Sequence, residues 1–133
     1  MKVEDIEGIG PAYGAKLTAA GVTTTETLLE RGATRKGRTE LAGATGITDT
    51  LILEWVNHAD LMRIKGVGSE YSDLLEAAGV DSPAELAQRN AANLAKAIVE
   101  VNEQKKLVRV VPSEAVVAGW IAEAKEMKKV VEH

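Results

Sequence analysis

Residues 6–22 read IEGIGPAYGAKLTAAGV, and residues 64–80 read IKGVGSEYSDLLEAAGV. Nine of these 17 aligned positions are identical: Ile6/Ile64, Gly8/Gly66, Gly10/Gly68, Tyr13/Tyr71, Leu17/Leu75, Ala19/Ala77, Ala20/Ala78, Gly21/Gly79 and Val22/Val80. Two G-h-G turns (h, an apolar residue) and two A-A-G-V ends in register mark an internal repeat. Farther along, Leu51–Met62 with Trp55 parallels Val116–Met127 with Trp120. The offset grows from 58 to 65, so the second copy carries an insertion, placed near Gln104–Val111. The copies divide the chain into 1–63 and 64–133, as two lobes or one compact body.

Helix signals fit this frame. Pro11 suits the first position of a helix running to Ala20, and Gly21 suits its C′ stop. Ser69 is expected to cap the equivalent helix before Gly79. Ser82-Pro83-Ala84-Glu85 is a capping box with proline at N1. Thr34 precedes a helix over about 35–45, and Thr48 one to about Arg63. Asn90 opens a helix to about Lys106, and Ser113 one to about Val130. No segment alternates with period two strongly enough for a strand, and Leu107–Val111 is read as an extended linker. The chain is therefore expected to be all-α, with about five helices in each repeat.

Gly8-Ile9-Gly10-Pro11 and its copy Gly66-Val67-Gly68-Ser69 are the strongest motif. Their glycines allow backbone conformations closed to other residues, and the middle apolar residue can plug a helix pair. N–H groups at such a turn face outward where the next helix starts, which favours an anion. The turn resembles that of the helix-hairpin-helix superfamily, which implies a SAM-like, paired helix-hairpin-helix architecture and sequence-independent contact with a DNA backbone. Over nearly its whole length the chain also resembles a bacterial family of tandem helix-hairpin-helix proteins of unknown function. The matching residues are Ile64–Gly68, Tyr71–Val80, Glu85–Asn90 and Leu107–Arg109. That resemblance implies a fold and no activity.

The charges around the turns are not copied. No acid follows the first turn, and Lys16 lies one helical turn on, although Glu7 precedes it. Glu70 and Asp73 follow the second turn, satisfy its helix's positive end and would repel a phosphate. The first turn is thus the better anion site, and Gly66, Val67 and Gly68 are read as structural. Arg31, Arg35, Lys36 and Arg38 form the densest cationic cluster. Arg35, Lys36 and Arg38 fall in the first turn of an expected helix, where a cation opposes the dipole by roughly 0.3–1 kcal/mol each. An anion site or a solvated face paired with Glu30 and Glu40 would account for them.

The net charge of −4, from 16 basic and 20 acidic residues, speaks against nucleic acid. Division after Arg63 leaves −2 on each side (7 basic and 9 acidic residues, then 9 and 11). There is no cysteine, and no apolar run approaches the roughly 20 residues of a membrane helix. No hydrophobic stretch follows Met1-Lys2-Val3-Glu4-Asp5, so a cytoplasmic protein is expected. The two histidines, His58 and His133, build no histidine-based metal site, and His58 is expected on a helix surface. Tyr13, Tyr71, Trp55 and Trp120 sit at core spacing rather than on a base-stacking platform. No catalytic constellation, phosphate loop, cofactor or small-molecule substrate is evident. Two functions stay open. One is a non-catalytic module that binds duplex or structured DNA weakly through Gly8, Ile9, Gly10, Pro11, Lys16, Arg35, Lys36 and Arg38. The other is a protein-interaction or scaffolding module, self-association included.

Overall fold

The computed structural model describes all 133 residues. It holds eight α-helices: α1 (Gly10–Ala19), α2 (Thr25–Arg31), α3 (Arg35–Thr45), α4 (Asp49–Leu61), α5 (Ser69–Ala77), α6 (Pro83–Leu86), α7 (Ala91–Lys105) and α8 (Glu114–Glu126). A 3₁₀ turn over Val3–Asp5 precedes them. There is no strand, only an isolated antiparallel bridge between Lys2 and Thr24. No helix is long and apolar enough to cross a membrane.

The A-A-G-V ends work as helix stops. Ala20 closes α1, Gly21 takes φ +89°, its N–H donates to the Thr18 carbonyl (2.9 Å), and the Val22 N–H donates to the Leu17 carbonyl (2.8 Å). In the second copy Gly79 takes φ +94°, its N–H donates to Glu76, and the Val80 N–H donates to Leu75, each at 2.9 Å. This is the Schellman pattern, completed by contact of apolar residues flanking the glycine. Leu17, Val22, Leu75 and Val80 are accordingly fully buried. Side-chain oxygens of Thr24, Thr34, Ser82, Asn90 and Ser113 cap α2, α3, α6, α7 and α8. Ser69, expected as a cap, is instead the first residue of α5 behind Gly68.

Two compact units result. Unit 1 comprises Met1–Asp60 with Val130–His133, and unit 2 comprises Leu61–Lys129. Within unit 1 the Tyr13 and Trp55 rings lie 5.1 Å apart at 58°. Within unit 2 Tyr71 and Trp120 lie 5.3 Å apart at 55°. Gly8 (φ +92°) and Gly66 (φ +88°) each have the indole Nε1 of their unit's tryptophan in van der Waals range of where a Cβ would stand. Unit 1 buries Ile6, Leu17, Leu28, Leu41, Ile52 and Trp55 completely. Unit 2 has a core of Ile64, Leu74, Leu75, Leu86, Leu94, Ile98, Val117 and Trp120, among others.

Several expectations need correction. Unit 1 reaches five helical elements only with its 3₁₀ turn, and unit 2 contains α5 to α8, so "about five each" overstates the second copy. Helix α8 ends at Glu126 rather than near Val130, because Met127 turns to extended backbone (φ −85°, ψ 139°). By packing, the last four residues group with unit 1. His58 is 2% exposed rather than on a helix surface, since it shares α4's inner side with Trp55 and Ala59. Leu107–Val111 is neither helix nor strand. There the Asn102 side chain pairs with both the N–H (3.0 Å) and the carbonyl (3.1 Å) of Val108, and the Tyr71 hydroxyl donates to the Val110 carbonyl (2.9 Å).

Two glycines of α3 give opposite expectations. A Cβ on Gly37 would overlap the Arg31 carbonyl oxygen, whereas one on Gly43 would meet nothing. Gly37→Ala is expected to destabilise the protein by roughly 1–3 kcal/mol, the cost of forcing atoms into a packed site. Gly43→Ala is expected to stabilise it by about 0.5–1 kcal/mol, the difference between glycine and alanine inside a helix. Urea denaturation followed by circular dichroism measures both.

Candidate functional site

The corner between α2 and α3 explains why cations crowd the start of a helix. Helix α2 ends at Gly32, leaving carbonyls that no further turn can satisfy. Arg38, one turn into α3, reaches back to this end and to the loop beyond it. Its Nη1 donates to the Gly32 (2.8 Å) and Ala33 (3.2 Å) carbonyls. A cation that opposes the dipole of its own helix thus sits at the negative end of the preceding one. Arg38 is only 4% exposed, and burial holds its guanidinium below the ordinary arginine pKa, partly offset by Glu132 and Asp49.

The other side of Arg38 faces the last residues of the chain. Its Nη2 donates to the Glu132 carbonyl (2.6 Å), and the Glu132 N–H donates to the Ala33 carbonyl (2.7 Å). Arg35 donates through Nε (3.0 Å) and Nη2 (2.6 Å) to the main-chain oxygen of His133. The Arg35 backbone N–H, first in α3, donates to Glu132 Oε1 at 3.4 Å. His133 Nε2 lies 2.9 Å from Asn57 Oδ1 on α4, and Val131 is 1% exposed. Arg35, Arg38, Thr39, Asp49, Thr50, Leu53 and His133 line an adjoining cleft of about 330 Å³.

Of the expected cluster, Arg35 and Arg38 therefore come together, but on main-chain oxygens. Lys36 is exposed and forms no part of this constellation. Arg31 turns to the Ala20 carbonyl (3.2 Å) at the end of α1. Gly8, Ile9, Gly10 and Pro11 form the entry to α1, with Ile9 buried, no acid in the first helical turn and no side-chain cap. Lys16 holds its ammonium 5.9 Å from the centre of the Tyr13 ring, and Glu4 packs beside Gly14 on the same helix. At the other turn the Lys65 N–H donates to both Glu123 oxygens (3.1 and 3.3 Å), and Glu70 stands in the first turn of α5. A carboxylate thus already occupies the second turn. Gly66, Val67 and Gly68 lead into α5 there, with Val67 buried.

Charge divides unevenly between the units. Unit 1 has six basic and ten acidic residues, and unit 2 has ten of each. All of the net −4 lies on the unit that holds the first glycine turn and the arginine pair. Sequence reasoning missed Asn57, Val131 and Glu132, and weighed His133 only as a metal ligand. Their only signal is the Val130-Val131 pair after a lysine run, which the helical pattern of α8 absorbs.

The chain belongs to a family described as a domain of unknown function, DUF4332, whose model matches residues 7–127. That match ends before the segment that meets Arg35 and Arg38. No curated protein and no solved structure matches the chain.

Arg38→Ala is expected to lower stability by at least about 2 kcal/mol, because buried carbonyls left without donors cost roughly 1–3 kcal/mol each. Lys36→Ala, on the surface of the same helix, is expected to stay within about 0.5 kcal/mol of the parent. Urea midpoints of the two variants, with a common m-value, make the comparison.

Proposed function

We propose that this protein is a non-catalytic protein-interaction module of helix-hairpin-helix type. The observation that supports this reading is the use of Arg35 and Arg38: both guanidinium groups are spent on the main-chain oxygens of an extended segment. Guanidinium forks also suit phosphate. Here, however, Arg38 is buried, and the surrounding unit is acidic by four charges, which opposes a polyanion. The duplicated Tyr–Trp contacts and glycine stops support a repeated scaffold, and the two helix-hairpin-helix turns would serve that scaffold rather than chemistry.

A second reading, weak contact with a nucleic-acid backbone, is favoured by one feature. The N-terminus of α1 has no acid in its first turn, unlike α5. Its interface would be Gly8–Pro11 with Lys16 and the exposed Lys36.

Selection of displayed random peptides on the immobilised full chain, beside a titration of labelled duplex DNA, separates the two. The interaction module yields an enriched peptide family and no duplex binding at 50 mM salt. The outcome that sinks it is duplex binding without peptide enrichment. In that case log affinity should fall with log salt at about −0.9 per phosphate neutralised, with a shallower slope in Lys16→Ala.

A further inference from the structure

Resting on the assignment of unit 1 as an interaction surface, we infer that the corner of α2, α3 and α4 is a peptide-recognition site. Its ligand is a short extended segment with an aliphatic residue, then an acidic one, then a residue able to hydrogen-bond an amide. Val131–His133 is its resident and displaceable occupant.

Three consecutive residues of the occupant are each held by a different device. Val131 is buried, which defines an apolar slot. Glu132 is fixed through its main chain on both sides: its N–H reaches Ala33, and its carbonyl accepts from Arg38. Its carboxylate meets the first N–H of α3, where a negative charge is favoured. His133 presents its main-chain oxygen to the Arg35 fork and its imidazole to Asn57. Main-chain pairing of an extended strand supplies affinity without regard to sequence, and the side-chain contacts supply the pattern. Part of the frame is independent of the occupant, because Arg38 Nη1 is anchored on Gly32 and Ala33. One buried side chain and six hydrogen bonds hold the segment, and four of those bonds are exposed to water, a set of contacts able to open locally. While it is docked, a peptide from another chain meets only the open fraction of the sites, so its apparent affinity falls by that fraction.

The probe is a fluorescent peptide of residues 128–133, KKVVEH, read by anisotropy against full-length chains. Val131→Asp removes the resident segment from its slot, and this chain is expected to bind the peptide at least tenfold more tightly than the wild type. The same peptide carrying Val131→Asp is expected to bind neither chain. Arg35→Ala combined with Val131→Asp is expected to weaken peptide binding about tenfold. A folded Val131→Asp chain that binds no more tightly than wild type, or that does not distinguish the two peptides, overturns the site. If Val131→Asp unfolds the protein, hydrogen exchange on the wild type decides. Millimolar peptide must speed exchange at the Glu132 amide, and an unchanged rate overturns the proposal. Display-selected peptides whose binding is untouched by Arg35→Ala would leave the interaction module standing and remove this site from it.

Discussion

A buried guanidinium sets the terms for unit 1. A charge taken out of water is tolerated only when its donors are met, and Arg38 meets three carbonyls drawn from two distant parts of the chain. One of them, Gly32, is an oxygen that the end of α2 leaves over, and Ala33 stands in the loop that follows. The third, Glu132, comes from the opposite end of the sequence. One side chain therefore closes α2, orients the start of α3 and fastens the last residues. The close approach of Gly37 to the Arg31 carbonyl belongs to the same corner, since any side chain there would push α3 away from the carbonyls that Arg38 has to reach.

Much of the fold was legible in the sequence because its signals are local. The A-A-G-V ends specify a left-handed glycine and a buried apolar pair, and both copies build that arrangement. Thr34, Ser82, Asn90 and Ser113 each cap the helix that follows, because a cap depends only on the next three residues. Tyr13 with Trp55 and Tyr71 with Trp120 keep their core spacing as ring contacts.

The candidate site was legible only in part. The oddity of Arg35 and Arg38 at a helix start was visible, and so was its implication that they serve something other than their own helix. Their target was not, because it is made of backbone oxygens, which every residue carries and no sequence pattern marks. The end of α8 was misplaced for a related reason. The stretch from Met127 to Val130 is compatible with helix by propensity, but Met127 takes extended backbone and Val131 is buried. His58 is buried by α4's packing, which overrides the surface preference of an imidazole.

The discontinuity of unit 1 bears on how the molecule assembles. Its first sixty residues and its closing four are separated by the whole of unit 2. Bringing them together from an unfolded chain means closing a long loop, at an entropic cost that grows with the logarithm of its length. Unit 2, by contrast, is continuous in sequence and carries no such closure cost.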